Sequence, residues 1–338
     1  MFYDTSTQAF KETARRERLQ PLALLRRCFA INPLLTLFGM AMCFTLIGTL
    51  IGIVIDHRII TGVPAWVKPT KFAISFVVYT FTFLWLLTFI QGHKRLVSIA
   101  TNVIAVTSTI EMVIIITQVI RGTTSHFNFS TPLDGTLFDI MGIAIVVLAL
   151  MNVIVAILML FQRIPDPAFA WSLRLGLLLF IVGICVAFLM VLPTPAQIAA
   201  MHAGAPRTII GAHSVGVADG GPGLPFLGWS TTGGDLRIAH FVGMHALQVF
   251  PLFGWWLARR RSSILHSGHR VALVWTAALS YLGLVGLLTW QALRAQPLIA
   301  PDALTLQALA SLLSATALAV IIIVAHARAQ EAQKQANQ

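Results

Sequence analysis

The chain has 338 residues, 57% of them hydrophobic and only 10% charged, with a formal net charge of +11. A soluble globular domain carries about a quarter charged residues, so this composition excludes a water-exposed surface over such a length. The apolar runs are long and continuous rather than short and alternating, which excludes a β-barrel and leaves helices to satisfy the backbone in lipid.

The expected fold is therefore an all-α integral membrane protein of about eight transmembrane helices. Residues 1–33 form a basic N-terminal segment in which Phe10, Ala14 and Leu22 lie among Arg15, Arg16 and Arg18. Such a pattern suits a helix lying on the inner membrane surface. The polar start is followed by an apolar run too long for a cleavable signal. Apolar runs of about twenty residues, enough to cross a hydrocarbon core of about 30 Å, occur at 34–55, 71–91, 97–120, 139–162, 171–193, 236–257, 271–293 and 303–326. Residues 34–326 thus read as an eight-span bundle, and 327–338 as a polar, frayed tail.

Orientation follows from lysine and arginine. With the N-terminus in the cytoplasm, 16 of the 23 cations fall in cytoplasmic segments and 7 in outer ones. That bias places both termini in the cytoplasm and gives the basic residues a topological role, with no need of nucleic acid as partner. The expected location is the bacterial cytoplasmic membrane. Cys28, Cys43 and Cys185 are too few for a disulfide framework.

One connection is long, an outer loop from about Leu192 to Asp235 between spans 5 and 6. It mixes turn residues with Leu224, Phe226 and Trp229, which suits a lid over the outer mouth of the bundle. The approach to span 2, Gly62-Val-Pro64 with Trp66 and Lys71, has a weak echo before span 6 in Gly223-Leu-Pro225 with Trp229 and Arg237. Two parallel four-span halves would produce such an echo.

Span 6 carries the richest polar pattern. At about 100° per residue, Arg237, His240, Phe241, Met244, His245 and Gln248 share one arc. Span 3 carries a second stripe of Thr107, Ser108, Glu111 and Gln118, with Arg121 at its outer end and His126 in the loop beyond. Ionisable groups at membrane depth must face protein or a water-filled cavity. Glu111 and His245 each lie about nine residues from an outer helix end, or roughly 14 Å deep. The arcs are expected to share a cavity in which Glu111 and His245 interact directly or through water and relay protons; the alternative partner for Glu111 is Asn152 or a serine, with Glu111 as a neutral acid.

Imidazole suits Zn, Cu and Fe, so His126, His240 and His245 are candidate ligands of a transition metal or of haem, with redox or hydrolytic chemistry. Lys71, Arg121, Arg237 and Gln248 are candidate cofactor-binding residues. Lys68, Lys71 and Arg237 sit at outer helix N-termini, where the helix dipole disfavours cations, and so call for a compensating anion. His240-x₄-His245 alone does not make a desaturase, because His266 and His269 lie on the opposite side. The same residues also suit a proton-coupled transporter, channel or sensor for a small anionic solute or lipid. A structural subunit, whose polar groups only tie helices together, is the third reading.

Overall fold

A computed structural model describes residues 21–259 and 264–337. The basic stretch around Arg15–Arg18 lies outside the described residues, as do Arg260 and Arg261. The elements in chain order are α1 (Pro21–Ile31), α2 (Pro33–Ile55), β1 (Ile59–Ile60), β2 (Val63–Pro64), α3 (Val67–Leu87), α4 (Lys94–Ile120), α5 (Pro132–Leu160), α6 (Pro167–Met190), α7 (Pro195–His202), β3 (Ser214–Val215), β4 (Gly234–Asp235), α8 (Leu236–Arg259), α9 (Ser267–Leu293) and α10 (Ala303–Ala336). Eight of the helices, α2–α6 and α8–α10, are long and apolar enough to cross a membrane.

Local chemistry sets the helix starts. Asn32, Thr131 and Asp166 each accept a backbone N–H of the first turn, and each is followed by proline at the first helical position. The cap satisfies an orphan donor and the proline presets φ. Thr194 does the same for α7 within a full capping box. Three boundaries differ from the hydropathy reading. Helix α3 begins at Val67, so Lys68 and Lys71 lie within its first two turns. Helix α5 begins at Pro132 instead of about 139, because the Thr131–Pro132 cap extends it beyond its apolar part. Helix α10 runs on to Ala336, so the residues expected as a frayed tail are mostly helical.

The core is built on α3, α4, α5 and α6, with Phe83, Ile104, Met159 and Leu173 fully buried among them. Helices α6 and α8 approach so closely that a Cβ at Gly183 would lie 2.5 Å from the Gly243 backbone, and one at Gly254 would strike Ser172. Small residues allow this approach, which in lipid is favoured by packing rather than by water exclusion. Helices α9 and α10 sit at the periphery, and no residue of the apolar window of α10 is buried.

Short strands close one end of the bundle. Strand β1 pairs antiparallel with β2, and β3 with β4 in the register Ser214↔Asp235. The turn between β1 and β2 needs Gly62, whose φ is +73° and whose Cβ would strike the backbone of Gly220. The long connection 191–235 lies at this same end, here called the loop end.

Candidate functional site

A cavity of about 1960 Å³ lies beneath the long connection. Residues 211–221 and 226–230 form its roof. Asp235, at the end of β4, is buried and accepts the Ser230 N–H, the Arg237 N–H and two guanidinium nitrogens of Arg237. Arg237 also donates to Gly228 O at 2.6 Å, and Lys71 Nζ donates to Leu227 O at 2.8 Å. The starts of α3 and α8 are thus stapled to the roof. Trp229 is half-buried against Phe241, with ring centroids 6.0 Å apart, whereas Phe226 stays 50% exposed.

The short loop after α4 folds inward. Ser125, Phe127 and Asn128 are buried, and the segment pairs with residues 208–210 through Phe129 N–H to Thr208 O and Ile210 N–H to Phe127 O. Non-helical backbone at such a depth is tolerated where it lines a cavity. This fold carries His126 down to Glu111, with Nε2 3.6 Å from the Glu111 carboxylate and Nδ1 3.1 Å from Ser125 Oγ. The other Glu111 oxygen is buried without a hydrogen-bond partner among the described residues. His213 descends from the roof and stacks on His126, with centroids 6.2 Å apart. Its Nδ1 lies 2.7 Å from Asp219 Oδ2, and Asp219 also accepts the backbone N–H groups of His213 and Ser214. On α8, His240 Nδ1 lies 2.7 Å from Gly183 O.

Charge in the roof follows from this packing. Burial holds the His126 imidazole well below its usual pKa, and the nearby Lys68 ammonium pushes it the same way. Burial also lowers His213, against the opposing pull of Asp219. Burial alone would raise Asp219, but the hydrogen bonds from His213 and Ser214 outweigh it, and its carboxyl stays well below the usual range. Both imidazoles are therefore neutral at neutral pH beside an ionised Asp219.

Below the polar end the walls turn apolar, with Phe72, Phe76 and Tyr79 from α3, Val146 and Val147 from α5, and Phe180 and Ile184 from α6. Tyr79 donates to Asn152 Oδ1 at 3.0 Å, so the carboxamide expected as an alternative partner for Glu111 serves α3 instead. Between α5 and α6, Ile143, Val146, Phe188 and Val191 line the cavity and yet stay exposed, Ile143 at 65%. The cavity opens sideways there, onto the face that apolar helices turn to lipid.

The structure brings most of the predicted site residues to this cavity: Lys71, Glu111, His126, Arg237, His240, His245 and Gln248 all line it. Arg121 does not. Its guanidinium is bound by Asp134 and Gln118, away from the lining. Glu111 and His245 share the cavity, and each has a direct side-chain neighbour of its own. Glu111 pairs with His126, while His245 Nδ1 meets Gln248 Oε1 at 3.3 Å and its ring packs on Phe241. The expected His126, His240 and His245 ligand set does not converge. Among the described residues no group of three or more His, Cys, Asp or Glu side chains is placed to hold a metal. Lys68 was read only as a cation that calls for a compensating anion, and His213 was missed. Lys68 lines the cavity, and the described residues give it no hydrogen bond or ion pair. His213 and Asp219 sit six residues apart in the glycine-rich loop, where helical periodicity carries no signal. No known protein family, curated protein or solved structure matches the chain.

Proposed function

We propose that the cavity binds a lipid-like amphiphile with an anionic head, taken sideways from the outer leaflet, and that the protein is a carrier or sensor of that molecule. In this reading the loop end faces outward, as the positive-inside bias requires. One observation carries the proposal: a lysine without a partner among the described residues, Lys68, stands at the polar end of a cavity whose apolar end opens through lipid-facing Ile143 and Val146. Charge at membrane depth is costly without a counter-charge. An anionic head at Lys68 removes that cost, and the apolar walls take the tail, each buried CH₂ contributing about 0.8 kcal/mol. The Glu111–His126 pair beside it can hold a proton exchanged on loading.

The test uses purified protein in nanodiscs of zwitterionic lipid. A fluorescent anionic lipid should bind saturably, and a zwitterionic lipid with the same chains about tenfold more weakly. Lys68→Gln should remove that preference, and Val147→Trp should block binding by filling the apolar channel. Equal affinity for the two lipids, or an unchanged preference in Lys68→Gln, would refute the reading.

A further inference from the structure

The polar end of the cavity presents acceptors as well as a cation. Gly183 O can only accept, so the 2.7 Å contact fixes the proton of His240 on Nδ1. The Asp219 carboxylate likewise accepts from His213 Nδ1 at 2.7 Å, while two backbone N–H groups hold it in place. An imidazole that donates from Nδ1 keeps a lone pair on Nε2. Both rings line the cavity, and neither Nε2 has a partner among the described residues. The second Glu111 oxygen is also buried and has no hydrogen-bond partner among the described residues. Among the described residues, the unpaired groups at this end thus include Lys68 as a donor and several acceptors.

A bare phosphate or carboxylate satisfies Lys68 but sets its own lone pairs against those acceptors. An ammonium-bearing head satisfies the acceptors but meets Lys68, Lys71 and Arg237, all of which line the same space. A head that joins an anionic oxygen to hydroxyl donors fits both sets. We infer that the cavity selects an amphiphile whose phosphate is esterified to a polyol, such as glycerol or a sugar, with His213 and His240 as the residues that read the hydroxyls. The inference rests on the amphiphile reading above and adds the chemistry of the head. Buried acceptors left unpaired discriminate strongly against a ligand lacking the matching donor.

The experiment compares three probes with identical acyl chains on the wild-type protein: phosphatidylglycerol, phosphatidic acid and phosphatidylethanolamine, each competing with a fluorescent anionic lipid. The expected order places phosphatidylglycerol about tenfold or more ahead of both others. His213→Leu and His240→Leu should bring the ratio of phosphatidylglycerol to phosphatidic acid close to one while phosphatidic acid still binds. His213→Gln, whose amide oxygen still accepts, should keep most of the ratio. The wild-type ratio decides the matter even if a leucine variant does not fold. A wild-type ratio near one, or a ratio untouched in monodisperse His213→Leu, overturns polyol selection while leaving anionic binding in place. Failure of every anionic probe overturns the amphiphile reading and this inference with it.

Discussion

At position 183 a side chain would meet Gly243 backbone atoms 2.5 Å away, with Met244 N closer still. The same residue's carbonyl fixes the His240 tautomer. Gly183→Ala therefore forces α6 and α8 apart, at a cost of about 1–3 kcal/mol for overpacking, and shifts the acceptor that sets His240. A thermal-unfolding midpoint in detergent should fall by several degrees, and an unchanged midpoint would contradict the close-packing account. Single residues were unevenly legible in the sequence. Helical phase put His240, His245 and Gln248 on one arc, and they do line one cavity. Phase could not show that the loop carrying His126 turns inward and sets this ring beside Glu111. Nor could it show that Asp134, sixteen residues from Gln118, takes up Arg121.

Among the elements, the roof is the one whose stability should respond to pH. His213 is surrounded by Asp219 from its own loop, Arg237 from α8, Lys68 from α3 and the His126 ring. Its pKa is lowered in the closed roof, so an opened roof binds the proton first, near the ordinary value of about 6.5. Stability then falls as pH drops through that window, by up to about tenfold in the opening constant per histidine per pH unit. Asp219, held below its usual range, stays ionised throughout this window and adds nothing to the change. Hydrogen exchange corrected for intrinsic rate should show residues 212–235 less protected at pH 5.5 than at pH 7.5, with α4 unchanged. Equal protection at both values would mean that His213 is not buried as described. The lid expected from the apolar content of the loop is present as a roof, in which Phe226 stays half exposed. The start of α5 was written in Thr131-Pro132, but hydropathy averages over such a cap and placed the start seven residues late.

For the whole molecule, the eight apolar runs gave the number of long helices, because in lipid each span must satisfy its own backbone. Which helices touch was not legible, since several faces are equally apolar. Charge placement bears on the orientation proposed for the bundle. At the loop end Arg58, Arg121, Arg237 and Arg294 pair with Asp56, Asp134, Asp235 and Asp302. At the opposite end, of the described lysines and arginines only Arg270 pairs with a carboxylate, Asp166. The cations that run against the positive-inside bias are thus mostly neutralised where they sit, and the uncompensated ones gather at the end assigned to the cytoplasm. Two positions can test this assignment in a background where Cys28, Cys43 and Cys185 are replaced by alanine. Gly268 has open space for a Cβ at the start of α9, and Ala205 is exposed between α7 and β3. In intact cells Ala205→Cys should react with a membrane-impermeant maleimide at once. Gly268→Cys should react only after permeabilisation. The reverse pattern would invert the bundle and place the cavity roof, with Lys68 beneath it, against the cytoplasmic leaflet. The cavity would then draw its amphiphile from the inner leaflet, with the excess cations left outside.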